Sequence, residues 1–387
     1  MPTPPVTTIH QHFATLPDPR VERTKRHQLL DILTIALCAV LCGAESWTEC
    51  EAFGHAKLGW LRTFLPLPHG IPSHDTFGRV FAALDPVQFQ QGFLSWVQAS
   101  TTRLAGLTAP AGLDHVALDG KTLRRSHDRA NGQAALHLVS AWASANRLVL
   151  GQVAVDDKSN EITALPVLIK LLDLRGCIVT IDALGCQTAI AGAIVEQGGD
   201  YVLALKGNQG TLHQEVEAMF AQARRTGFQG VAHQTYRTLE KGHGRIEERR
   251  WWTIHDPEYL AHLNPTEAWP QLASIAMVEA ERTIGETVTC ETRYFIASVA
   301  AAQPVGQAVR LHWGIENAVH WVLDIAFRED ECRVRAGHSA QNFATLRHLA
   351  LNLLRQDQTA KMGIKAKRLK AGWDETYLVR ILRQISQ

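Results

Sequence analysis

Two short apolar, β-branched runs each end in an aspartate: Val116-Ala-Leu-Asp119-Gly120 and Cys177-Ile-Val-Thr-Ile-Asp182-Ala-Leu-Gly185. Runs of this kind read as buried strands. Aspartate is unfavourable inside a strand, and a buried carboxylate without a partner is costly. Taken alone, Asp119 is a solvated strand end, an ion-pair partner of Lys121 or Arg124, or a metal ligand. The second copy shifts the balance. If the two strands are neighbours in one sheet, two like charges meet at its edge and repel. A divalent cation removes the conflict, and hard carboxylate oxygens suit Mg²⁺ or Mn²⁺. A third acid is then expected from a helix packed against the same edge.

The flanking elements indicate the kind of sheet. Val116–Asp119, Leu136–Trp142 and Leu148–Val155 read as three strands joined by polar turns. Helix is expected over Glu161–Leu174 and Gln187–Glu196, and strand over Cys177–Asp182 and Tyr201–Leu205. Three strands followed by alternating helix and strand predict an α/β fold, in the order of a ribonuclease H-like core. After Asn208 the alternation stops. Leu212–Ala223 reads as helix, then Gln234–Leu239, Arg249–Ile254, Ala273–Glu279 and Arg293–Ser298 as strands. Helix returns at Pro304 and runs over Val305–Phe327. It carries Glu316, among tryptophans and histidines rather than in a solvated charge run, and this is the best third acid. Pairing of Glu316 with His312 or His320, each one turn away, is the competing reading. Asp324, Asp330 and Glu331 are rivals. Trp313 and Trp321 read as helix-packing residues.

Before the first of these strands the period is helical. Leu29–Gly43, Ser46–Phe64, a helix opened by Ser73, and Phe89–Leu104 predict a small all-α domain, separable from the strand-bearing region. The apolar stretch Ile35–Ala44 is too short to span a bilayer. It also starts too far from the terminus for a signal peptide. The organisation expected is a basic extended arm (1–28), the helical domain (29–106), a catalytic core (113–208 and 303–357) interrupted by a β-rich insertion (209–302), and a basic C-terminal helical tail (358–387). Net charge over 387 residues is only +1, which excludes a global basic field and leaves nucleic-acid contacts to local patches. Seven cysteines without a CxxC pair suit a reduced, cytosolic protein.

The ordered set Gly70-Ile-Pro-Ser73-His-Asp75, Leu118-Asp119-Gly-Lys121-Thr-Leu-Arg124, Lys158-Ser-Asn160-Glu161-Ile, Thr180-Ile-Asp182-Ala-Leu-Gly-Cys186-Gln187, Leu203-Ala-Leu-Lys206-Gly-Asn208-Gln209, Gly242-His243-Gly244-Arg245-Ile-Glu247 and His312-Trp313-Gly-Ile-Glu316-Asn317 resembles the bacterial insertion-sequence transposases that include the H-repeat-associated proteins, a DDE (Asp-Asp-Glu) family. The resemblance runs from about Asp18 to Leu382. It implies a ribonuclease H-like core with a β insertion before the glutamate, and an associated N-terminal helical domain. It carries the catalytic and metal-binding triad onto Asp119, Asp182 and Glu316. It further implies Mg²⁺, with Mn²⁺ as substitute, double-stranded DNA as partner, a homodimer in the end complex, and action on the nucleoid in the cytoplasm, with no membrane.

Related transposases have a Tyr-x2-Arg-x3-Glu-x6-Lys signature around the glutamate. Here Val309, His312 and Leu323 stand at those places, leaving Arg310 and His320 as candidates for the same phosphate work. Other candidate DNA contacts are His312, Lys121, Arg124, Arg125, Lys206, Asn208, Lys241, Arg245, Lys365 and Lys367. A catalytically silent end-binding relic, or a host nuclease of ribonuclease H-like fold, are the alternatives.

Overall fold

A computed structural model describes residues 7–107, 114–127, 132, 134–155, 160–242 and 244–383. The meander is β1 (Asp114–Thr122), β2 (His137–Ala143) and β3 (Leu148–Val155), followed by β4 (Cys177–Ile181) and β5 (Asp200–Leu205), both parallel to β1. The charged stretch after Asn208 supplies β6 (His233–Gly242), β7 (Arg245–Ile254), β8 (Ser274–Ile284) and β9 (Thr287–Ala297), all antiparallel. Among the described residues these nine strands make one mixed sheet, in the order β3-β2-β1-β4-β5-β9-β8-β7-β6. The β-rich stretch expected as an insertion therefore continues the core's own sheet, through Val202↔Ala297 to Leu205↔Tyr294.

The helices are α1 (Thr7–Phe13), α2 (Leu29–Leu41), α3 (Trp47–Ala56), α4 (Leu58–Leu61), α5 (His74–Ala83), α6 (Pro86–Leu107), α7 (Glu161–Lys170), α8 (Thr188–Glu196), α9 (Gly210–Arg225), α10 (Pro257–Leu263), α11 (Ala302–Ile315), α12 (Trp321–Phe327), α13 (Ser339–Gln356), α14 (Ile364–Trp373) and α15 (Glu375–Arg383). Caps set several of the starts. Ser46 and Glu49 form a capping box on α3, Ser73 caps α5, and Asn160 caps α7. None of the helices in the described residues is long and apolar enough to cross a membrane.

Both faces of the sheet are covered. Val116, Leu118, Val179 and Ile181 pack with α7 and α8. On the opposite face Ile178 and Val202 pack with Val305 and Val309 of α11. Ala117 on that same side joins Ile315, Val319 and Leu323 in a core that continues into α2, α5, α6 and α13.

Two expectations about the N-terminal region change. The described part of the arm is not all extended, because α1 buries Ile9 and Phe13, and the Phe13 ring lies 5.3 Å from that of Phe89 in α6. The helical region is not a separate body, because the Trp47 ring meets Phe343 of α13 edge-on at 4.8 Å. The stretch between the expected helical domain and the expected core falls, after Leu107, outside the described residues.

Candidate active site

β1 outruns β4. Their pairing ends at Leu118↔Ile181, while β1 continues along β2 to Thr122. Asp119 is therefore the point where the two strands part, rather than the end of a strand. Asp182 follows β4 directly and caps a short turn, its Oδ1 accepting from the Leu184 N–H at 3.1 Å and the Gly185 N–H at 3.4 Å. The turn is held from β5's side. Asn208 donates to the Ala183 carbonyl at 2.6 Å and Gln209 to that of Cys186 at 2.8 Å.

The third acid arrives on an irregular helix. Between α11 and α12 the segment Glu316–His320 is a π-helical turn, a departure that recurs at functional sites. It sets Glu316 and His320 side by side. His320 Nδ1 lies 3.1 Å from Glu316 Oε2 and 3.5 Å from Asp119 Oδ2. One ligating atom from each of Asp119, Glu316 and His320 falls within 4.8 Å of the others, the spacing a metal ion would need. Asp182 stands outside this tight group but near enough for its charge to act on Asp119. Burial pushes the Asp119 carboxyl up to about 6; His320 and the Gly120 N–H pull against it, and Asp182 and Glu161 add to the rise.

Two further groups brace the site. Glu161 pairs with His137 at 2.6 Å, and this pair lies against Gly120, where a Cβ would run into the Glu161 carboxylate. Beneath the acids, His115, Thr180 and His312 form a chain, with Thr180 Oγ1 at 2.8 Å from His115 Nε2 and 2.9 Å from His312 Nδ1. Burial lowers the His312 pKa, with Asp182 working in the other direction, so an uncharged imidazole stands where the related signature has arginine.

Known proteins are similar to this chain over nearly its whole length. A model described as "Transposase DDE domain" matches residues 110–353, and one described as "DDE_Tnp_1-associated" matches residues 10–97. YhhI of Escherichia coli (strain K12), whose name places it among the H repeat-associated transposases, is 37% identical over 379 residues, 97% of each chain. YncI of Escherichia coli O157:H7, which bears a transposase's name, is 36% identical over 391 residues, covering 99% of this chain and 96% of its own. The chain belongs to the DDE transposases. An uncharacterised protein encoded in the dhlA 3′ region of Xanthobacter autotrophicus is 49% identical over 290 residues, 75% of this chain and 94% of its own.

In this DDE transposase the cations expected to meet DNA fall into distinct settings. Lys121 is turned inward, its Nζ 2.6 Å from Asp324, 3.2 Å from Glu329 and 3.2 Å from Asp330. Burial opposes its charge, but Glu329, Asp324 and Asp330 more than offset this and hold its pKa above the ordinary value. Lys121 thus neither pairs with Asp119 nor faces solvent. Lys367 is also buried, donating to the Leu354 carbonyl at 2.9 Å and the Asp357 carbonyl at 2.5 Å. Neither side chain faces solvent as a phosphate contact would, and His320 is a third such case, since it sits between two acids at 4% exposure. Lys206, Asn208, Lys241, Lys365 and Arg125 are exposed. Arg124 is exposed but pairs with Asp330 at 3.1 Å, Arg310 pairs with Glu240 at 2.7 Å, and Arg245 with Glu247 at 3.0 Å. His243 lies outside the described residues. Trp313 and Trp321, expected as packing residues, are 53% and 59% exposed on either side of Glu316.

Proposed function

We propose that the chain cuts DNA at the two ends of an insertion sequence and joins the freed 3′ ends to target DNA, with Asp119, Asp182 and Glu316 as the catalytic acids of a ribonuclease H-like core. The observation that carries this reading is the meeting of Asp119 and Glu316 at His320, beside Asp182 just past the end of the adjacent parallel strand. The order β3-β2-β1-β4-β5, antiparallel in the first three strands and parallel in β1, β4 and β5, supports the core assignment.

The donor set fits a hard divalent cation. Carboxylate oxygens are the ligands Mg²⁺ and Mn²⁺ prefer, and a buried carboxyl with a raised pKa is one that gains from a nearby positive charge. A pair of such ions, when bound, supplies activation of the attacking oxygen and stabilisation of the leaving one. The chain's own residues do the placing. Asp119 is fixed by its strand and the Gly120 N–H, Asp182 by the Leu184 and Gly185 N–H groups, and Glu316 by the π turn. In the first step a water oxygen bonds to phosphorus and the P–O3′ bond breaks, leaving a 3′-hydroxyl and a 5′-phosphate. In the second, that hydroxyl oxygen bonds to a target phosphorus, whose own P–O3′ bond breaks. Neither step needs a covalent link to protein. Two element ends call for two protomers, so a homodimer is the expected working form.

The test uses the full chain, Mg²⁺, and a plasmid carrying the gene with its flanking DNA. Nicks with 3′-hydroxyl ends at the gene's flanks, followed by joined products, are expected, and neither from Asp182→Ala. Cutting without joining would indicate a nuclease; binding without cutting would indicate a relic.

A further inference from the structure

β5 stops at Leu205, opposite Tyr294, but β6–β9 run on. The stretch Thr287–Arg293 of β9 carries the sheet roughly 24 Å further, at about 3.4 Å per residue. Because β5 is parallel to β4 and β9 antiparallel to β5, this overhang leaves the sheet on the edge that holds Asp119 and Asp182.

Side chains alternate across a sheet, so the register assigns each charge to a face. On one face lie Arg245, Glu247 and Arg249 of β7, with Glu240 of β6 and Arg282 of β8 directly opposite Glu247, and Arg293 of β9 level with Trp251. This is the α11 side. Trp251 packs there against Gly306, and Arg310 of α11 reaches Glu240 at 2.7 Å. The row starts beside the helix that delivers Glu316 and leads outward from the acids.

Glu247 is the hub, at 6% exposure. Arg245 Nε and Arg282 Nη2 each lie 3.0 Å from its Oε1, and Arg249 pairs with its Oε2. One carboxylate cannot neutralise three guanidinium groups. Glu240 is shared between Arg310 and Arg249, and Glu291 lies 3.7 Å from Arg293, so five arginines on this side face three glutamates. Each guanidinium has five N–H donors; Arg245 turns only Nε, and Arg282 only Nε and Nη2, to Glu247. Arg249 Nη1 and Arg293 Nε are buried without a hydrogen bond, although each lies within ion-pair distance of a glutamate. Arg245 and Arg282 are 39% and 49% exposed at the side chain. Splayed guanidinium forks with free donors are suited to phosphate oxygens.

We propose that this arginine row binds the sugar-phosphate backbone of duplex DNA beside the cut site, with Glu247 as the post that spaces the guanidinium groups. The proposal rests on the reading of the chain as one that acts on DNA. It differs from general basicity in being confined to one face of the overhang. Arg237 and Arg250 occupy the other face of the same strands, paired with Glu248.

The experiment measures binding of the full chain to a duplex of arbitrary sequence by fluorescence anisotropy across a salt series, in EDTA so that nothing is cut. The slope of log affinity against log salt changes by about 0.9 for each phosphate contact. Arg245→Gln with Arg282→Gln is expected to flatten it by about 1.8. Arg237→Gln with Arg250→Gln, an equal charge change on the opposite face, is expected to leave it within experimental error. Equal flattening in both double variants, or in neither, overturns the proposal. If the unmodified chain shows no salt-dependent binding, the DNA reading itself fails. Arg245→Gln alone, at the hairpin tip, keeps the test open should the double variant melt early, with an expected change of about 0.9.

Discussion

His320 stands where two carboxylates require a positive or donating neighbour, and Lys121, two residues beyond Asp119, is held by three more. These two side chains have different parts in the site. Asp119→Ala, Asp182→Ala and Glu316→Ala are each expected to abolish cleavage and weaken Mn²⁺ binding while the protein stays folded, because each removes a like charge from a crowded edge, which at Asp182 offsets part of the lost turn cap. Cleavage and calorimetry on the three purified variants check this; a correctly folded variant that still cuts takes its residue out of the triad. Lys121 contributes to stability through its ion pairs. Glu329 is 2% exposed, and its other close cation is Arg347, at 3.5 Å and equally buried. Lys121→Met leaves a buried carboxylate short of its nearest partner, which costs about 3–5 kcal/mol. Urea unfolding reads this directly. A phosphate-binding lysine would instead leave stability unchanged and lower only DNA affinity.

Whole elements are more legible in the sequence than their ends and interruptions. The central strands are legible as short unbroken apolar runs, because Val116–Leu118, Ile178–Ile181 and Tyr201–Leu203 are buried on both faces of the sheet. The outer halves of β6–β9 escape this reading, since Lys241–Arg250 alternates charges rather than apolar groups and so resembles a solvated turn. Nothing in Glu316–His320 announces a π turn, which is a property of packing on two sides. The run 361–370 is legible as basic, but its charges are not all spent on solvent or DNA. Within α14, Lys367 closes carbonyls after α13, and Arg368 donates to the Val40 carbonyl through Nε at 3.0 Å and Nη2 at 2.8 Å. Sequence registers the charge but not which carbonyls lack a donor. Asp31 shows the same limit within α2. It is 2% exposed, Oδ2 has no hydrogen-bond partner, and burial pushes its carboxyl up to about 6 against the Leu67 N–H. A folded pKa above the unfolded value means the group's contribution is fully present below about pH 4 and is lost as the pH rises through about 6. Asp31→Asn fixes the neutral form. It is therefore expected to match the parent near pH 4 and to exceed it by roughly 1–3 kcal/mol at pH 8, given about 1.4 kcal/mol per unit. Urea titrations at the two pH values decide; an equal difference at both would mean that Asp31 does not titrate as inferred.

At the scale of the molecule the question is whether the N-terminal helices form an independent body. The change of period near His115 suggests that they do, and the associated family match ends at residue 97, near that change. Packing argues otherwise. Ile32, Ile35, Phe77, Phe81 and Phe93 share one core with Phe343, Leu346, Leu351 and Leu354 of α13 and with Tyr377, Leu378 and Ile381 of α15. Polar groups cross the same boundary. Asn342 donates to the Phe81 and Leu84 carbonyls at 2.8 and 3.0 Å, and Gln90 to that of Gln152. Removing everything after Leu107 would uncover the apolar faces of α2 and α5 and strip donors from the end of α5. Burial of one large apolar side chain is worth about 1.5–3 kcal/mol, whereas a domain's whole stability is about 5–15 kcal/mol. Losing several such contacts exceeds what the fragment can retain. A chain ending at Leu107 is expected to show no cooperative urea transition and to bind a dye specific for exposed apolar surface. Full-length protein cleaved between Leu107 and Asp114 is expected to stay associated through size-exclusion chromatography, because α13 holds the two pieces together. A fragment that melts cooperatively, or cleaved pieces that separate without denaturant, would show that the α13 contacts do not decide the fold of the N-terminal helices.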